Sequence, residues 1–142
     1  MKNVIHFSIA CIGVVAFACG SNEKSNSSKP IVAPTLSSIQ QEVFDVRCSA
    51  PSCHGSGMKG DLSLVGGNSY GQVVAAAATA DRRNLPPFLR VKPGSPDSSF
   101  LYIKITLPDS DQGEIMPKGG EKLTQQEIDA IRQWIIRGAL ND

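Results

Sequence analysis

The chain is 142 residues long and carries 14 Lys and Arg against 13 Asp and Glu, a formal net charge of +1. With no long run of like charge either, it lacks the electrostatic footprint of a nucleic-acid-binding protein. Aromatic residues make up only 6% of the chain, which also holds 13 Gly and 9 Pro, so the protein core is lean and leaves room for something else to fill it.

Residues 1–18 have the layout of an export signal: Lys2 supplies the positive start, an apolar run extends from Val4 to Phe17, and small residues close it. The run is short for a bilayer span of ~20 apolar residues, which favours a cleaved signal over a permanent transmembrane helix. Ala16-Phe17-Ala18 has the form of a signal peptidase site, and with Cys19 it resembles the lipobox of bacterial lipoproteins, in which the cysteine becomes the acylated first residue. The alternative is an unmodified secreted chain with Cys19 as a free thiol. Cys11 leaves with the signal, and so does Lys2, after which Lys and Arg balance Asp and Glu at thirteen each.

Residues 19–35 read as a lipoprotein-like tether. The stretch is polar and proline-bearing, has no periodic apolar face, and cannot offset its ordering entropy by burial. Its typical reach is roughly 20 Å, which suits a domain held near a membrane. Residues 36–142 then form one small domain.

The domain opens on an expected helix from Leu36 to Val46, with Ile39, Val43 and Val46 at helical spacing and a capping box at Ser37 with Gln40 or at Ser38 with Gln41. This helix runs into C-S-A-P-S-C-H, Cys48 to His54, with Gly55 directly after. Further on, Ser69 to Ala80 is an alanine-rich helical candidate and Pro86-Pro87 marks a turn. Ser98 to Leu107 follows the Pro93-Gly94-Ser95-Pro96 turn, with Asp97 as its expected cap; its β-branched and aromatic residues suit a strand as well as a helix. Gly119-Gly120 marks another turn. In the last segment Thr124 and Glu127 form a capping box, Ile128, Ile131 and Ile135 continue an apolar stripe beside Trp134, and Gly138 is placed to end the helix in a left-handed conformation.

Three chemistries compete for Cys48, Cys53 and His54. A structural zinc site would need a carboxylate as its fourth ligand, because after signal removal the remaining cysteine is Cys19 and no second histidine is left. A Cys48–Cys53 disulfide fits an exported chain but closes only a short loop. Covalent haem accounts for the third feature, the histidine immediately after the second cysteine: the thiols add across the porphyrin vinyl groups and the histidine ligates the iron. The usual spacing is C-x-x-C-H, whereas here it is C-x-x-x-x-C-H, so an extra loop is required, and Ala50-Pro51-Ser52 suits it because proline breaks the helix.

A haem on His54 leaves a second axial position. Met1 goes with the signal, and Met58 lies only four residues past His54 and would have to fold back around the porphyrin edge. Met116, in a loop stiffened by Pro117, is the better candidate; its alternative role is a core residue.

Helix, C-H-G, PG-P turn, M-P loop and terminal helix, in that order, resemble the class I cytochrome c fold, and within it the planctomycete-type cytochrome C domains of exported bacterial proteins. The landmarks are SCHG at Ser52 to Gly55, VKPGSPDSSFLYIKI at Val91 to Ile105, MPKGG at Met116 to Gly120 and LTQQEIDAIRQWIIRGA at Leu123 to Ala139. The resemblance implies an all-α, cytochrome c-like small helical domain packed around one covalent haem c and its iron. It implies thioether bonds at Cys48 and Cys53, proximal ligation by His54 and distal ligation by Met116. Phe44 and Trp134 become candidates for packing on the haem, and Arg90, Lys92 and Lys118 for its propionates.

The expected function is one-electron relay by an exported monohaem cytochrome, not an enzyme. It would face the periplasmic side of a bacterial membrane, anchored through Cys19, with a redox protein as donor and another as acceptor. One alternative keeps the haem but makes Met116 displaceable, giving a gas or redox sensor or a peroxidase-like site. Another is a haem-free, disulfide-stapled binding module.

Overall fold

The computed structural model describes residues 31–78 and 88–142. The signal at 1–18, Cys19, the tether up to residue 30, the last two residues of the Ser69–Ala80 candidate and the Pro86-Pro87 turn lie outside the described residues. The described chain is helical, with three isolated β-bridges and no strand.

Helix α1 (Leu36–Ile39) starts one or two residues earlier than its expected caps. Thr35, not Ser37 or Ser38, is the N-cap, its Oγ1 accepting from the Ser38 amide at 3.3 Å. The C-terminal residue satisfies two more of the free amides: Leu36 N donates to Asp142 Oδ1 and Ser37 N to the Asp142 carbonyl, both at 2.9 Å. Packing also reaches back into the expected tether, since Val32 is buried in the core.

Beyond Ile39 the helix widens into a π-helix (Gln40–Cys48), closed by Ser49 N donating to the Phe44 carbonyl at 2.9 Å. The i to i+5 winding puts residues five apart on one face. Ile39 and Phe44 are therefore both buried, and Cys48 falls beneath Val43. Val46, expected on the apolar stripe, is instead 68% exposed. The end of this helix is tied to the start of the last one. Arg47 donates to the carbonyls of Glu121 at 2.8 Å and Lys122 at 3.0 Å and pairs with the fully buried Glu127 at 3.4 Å.

Helix α2 (Ser69–Val73) is much shorter than its alanine-rich sequence predicts. Val74 is extended and Ala75 has φ +57°, because the backbone here pairs across to residues 88–91: Ala75 N donates to Val91 O at 3.0 Å, Ala78 N to Phe88 O at 2.7 Å and Arg90 N to Ala76 O at 2.6 Å. Tertiary pairing overrides the helix propensity of alanine.

Helix α3 (Phe100–Thr106) resolves the helix-or-strand ambiguity as helix, after a 3₁₀ turn at Pro96–Ser98. Asp97 lies in that turn; Ser99 takes the N-cap position, and its Oγ closes the preceding turn by accepting from Lys92 N at 2.9 Å and donating to Ser95 O at 2.8 Å. Helix α4 (Gln125–Ile136) matches expectation in detail. Thr124 N donates to Glu127 Oε2 at 2.6 Å and Glu127 N to Thr124 Oγ1 at 3.3 Å, and Gly138 ends the segment at φ +101°. Ile131, Trp134 and Ile135 are at most 1% exposed, and α4 packs on both α1 and α3. Each such side chain contributes about 1.5–3 kcal/mol on burial, which makes this the anchor of the scaffold.

Candidate cofactor site

Cys48 sits at the end of the π-helix, half-buried against the core. The chain then reverses through the loop expected at Ala50-Pro51-Ser52: Cys53 N donates to Ala50 O at 2.8 Å, His54 N to Cys48 O at 3.1 Å and Gly55 N to Ala50 O at 3.2 Å. These turns bring backbone so close to Gly55 that a Cβ there would lie 2.4 Å from the Ser49 carbonyl oxygen and 2.9 Å from that of Ala50. Glycine after the histidine is thus a packing requirement. The loop is fastened by Leu64 N donating to His54 O at 2.7 Å and by Ser49 Oγ donating to Leu64 O at 2.8 Å.

Cys48, His54 and Met116 line one cavity of about 210 Å³, open on one side. Cys53 does not line it; it is exposed, next to His54 in the same loop. Cys48 and Cys53 are both free thiols. Met58 is 45% exposed and does not line the cavity. Among the described residues no three His, Cys, Asp or Glu side chains gather as a metal site.

Burial sets the chemistry of the first two groups. It pushes the Cys48 thiol up from 9.0 to about 12, with Arg47 lowering it and Glu127 and Cys53 adding smaller increases. Burial likewise holds the His54 pKa below the usual 6.5, an effect opposed by the backbone of Leu62 and Lys59 and reinforced by the charges of Arg90 and Lys104. His54 is therefore a neutral imidazole at pH 7. Its Nδ1 is buried and makes no hydrogen bond.

Met116 lies in the loop after α3 and a 3₁₀ turn at Ser110–Gln112. Its amide donates to the Lys104 carbonyl at 2.7 Å, and its side chain packs partly buried against the core. Phe44 lines the cavity as expected, whereas Trp134 does not; the indole is buried elsewhere and donates to the Leu140 carbonyl at 2.8 Å.

Besides His54 and Cys48, the cavity walls are apolar except for three cations, Lys59, Arg90 and Lys104, and among the described residues no acidic side chain lines it. Arg90 is only 9% exposed and donates to three carbonyls, Gln72 at 2.9 Å, Asp61 at 2.8 Å and Gly60 at 3.1 Å. Lys92 and Lys118, the other two expected propionate partners, are exposed and do not line the cavity. The lysines that line it are Lys59 and Lys104. Lys104 was legible in principle, since it sits at i+3 from Leu101 and beside Ile105, and all three face the cavity.

This donor set fits a flat apolar group that carries carboxylates and a metal. It provides the Cys48 thiol, a neutral imidazole with a buried unpartnered nitrogen, a thioether, apolar walls and three cations, with the Cys53 thiol outside the cavity in the same loop as His54. The chain matches no protein-family model, no curated protein and no solved structure.

Proposed function

We propose that the chain is an exported, membrane-tethered monohaem c-type cytochrome, an electron carrier and not an enzyme. The observation that carries this reading is the convergence of the sequence-distant Met116 with Cys48 and His54 of one loop on a largely apolar cavity that three cations also line.

Haem, when bound, supplies reversible one-electron exchange between ferric and ferrous iron. The protein's part is holding and shielding. Cys48, on the cavity wall, and the exposed Cys53 of the same loop would hold the group through thioether sulfurs. His54 offers a nitrogen lone pair that burial keeps free of a proton, and Met116 offers a thioether, which raises the potential relative to a second histidine. Lys59, Arg90 and Lys104 meet the carboxylates. Leu101, Ile105 and Ile131 keep water from the walls. His54 and Met116 together would hold the metal from two residues and leave the group to exchange electrons with redox proteins by contact. Export and anchoring rest on the signal at residues 1–18 and on Cys19.

A spectroelectrochemical titration of the full mature protein tests this reading. A single reversible one-electron step, with no change in the ferrous spectrum under carbon monoxide, is expected. Carbon monoxide binding would convert the assignment to a sensor or peroxidase-like site with a displaceable Met116.

A further inference from the structure

Lys104 makes three separate connections to the methionine loop. Its Nζ donates to the carbonyl of Gln112 at 2.9 Å and to the carbonyl of Glu114, and its own carbonyl accepts from the Met116 amide at 2.7 Å. The residue lies in α3, whose Phe100 and Ile105 are buried in the core, so the loop is held against a rigid element. Little else fastens the stretch from Gly113 to Met116: Ile115 and Met116 are only half-buried and Glu114 is exposed. The ion pair of Glu114 with Lys118 at 3.3 Å lies between two groups each 65% exposed and contributes little.

We infer that Lys104 is a positioning residue for the distal ligand: its ammonium pins the Gln112 and Glu114 carbonyls and so keeps the Met116 thioether directed at the cofactor. The inference rests on the cytochrome reading. It assigns to Lys104 a mechanical role alongside its place on the cavity wall, and it makes the strength of methionine ligation a property of one side chain in α3. Removing the ammonium leaves two carbonyls without their donor and lets the loop open.

The test uses the full haem-bearing chain in its ferric form and two readouts, the methionine-to-iron band at the red end of the spectrum and the equilibrium affinity for added imidazole. Wild type shows the band, and Met116→Ala loses it. Lys104→Met keeps covalent haem but binds imidazole about 10- to 100-fold more tightly, the loss of one or two charge-assisted hydrogen bonds. Lys104→Arg returns affinity to near wild type. Ile135→Val, a core change outside the cavity lining, leaves it unmoved, which separates positioning from general loss of stability. Should Lys104→Met fail to accumulate, Lys104→Gln carries the same comparison.

Wild-type imidazole affinity and an intact band in Lys104→Met, alongside a lost band in Met116→Ala, would overturn the positioning role while leaving the cytochrome reading standing. A band that survives Met116→Ala would remove the methionine assignment and the role of Lys104 with it.

Discussion

Two loops line the cavity, and they are held in place by different means. The histidine loop is fixed by its own backbone: a ladder of turns from Cys48 to Leu64, packed so closely that Gly55 has no room for a Cβ. The methionine loop has fewer turn bonds: the Met116 amide is tied to the Lys104 carbonyl, and the Gln112 and Glu114 carbonyls are tied to the Lys104 ammonium reaching across from α3. A ligand held by a ladder of backbone bonds cannot be moved without unfolding its loop, whereas one whose loop leans on a long side chain can yield. On this account His54 is the permanent ligand, and any tuning or exchange occurs at Met116.

The sharpest way to break the comparison is on the histidine side. Gly55→Ala forces the Ser49 and Ala50 carbonyls apart and should cost about 3 kcal/mol or more, a large share of a stability of ~5–15 kcal/mol. Denaturant titration should show the midpoint falling, with poor haem loading of the same preparation. Met116→Ala should do the opposite: haem stays attached, the fold persists, and voltammetry finds the potential lower by on the order of 0.1 V.

A smaller effect separates the two cysteines. In a chain made without haem attachment and with Cys19 replaced by serine, alkylation at pH 8 should label the exposed Cys53 well before the buried Cys48. Because the folded Cys48 thiol lies at about 12 against an ordinary 9.0, its burial supports the haem-free fold fully below pH 9. That support is lost as pH rises from 9 towards 12. The haem-bearing chain, whose sulfurs carry no proton, should show no such loss from Cys48. The smallest effect concerns partners: with charges nearly balanced, the rate of electron exchange with a redox protein should change little between low and high salt.

The two loops also differ in how far they can be read from sequence. Cys48, His54 and Met116 announce themselves by residue type, and all three reach the cavity. The terminal helix is equally legible, because its capping box and C-terminal glycine are local devices that act within a few residues. The first helix is not. Its cap is Thr35 with help from Asp142, a partner 106 residues away, and its π winding turns Val46 outward and Cys48 inward against a simple helical count. Nor is the end of α2, where the alanines give up helical bonds for pairing with residues 88–91. Of the cations the sequence singles out, Arg90 lines the cavity and Lys92 and Lys118 do not, while Lys59 and Lys104 do, since only the fold decides which lysines face inward.

The most direct test of the central claim is the intact mass of the mature chain under denaturing, reducing conditions, expressed with a competent haem-attachment system. The account predicts a polypeptide heavier by one haem, retained through acid extraction and lost when Cys48 and Cys53 are both replaced by serine. A mass without haem, together with a Cys48–Cys53 disulfide in the unreduced sample, would contradict it and leave the disulfide-stapled module in its place.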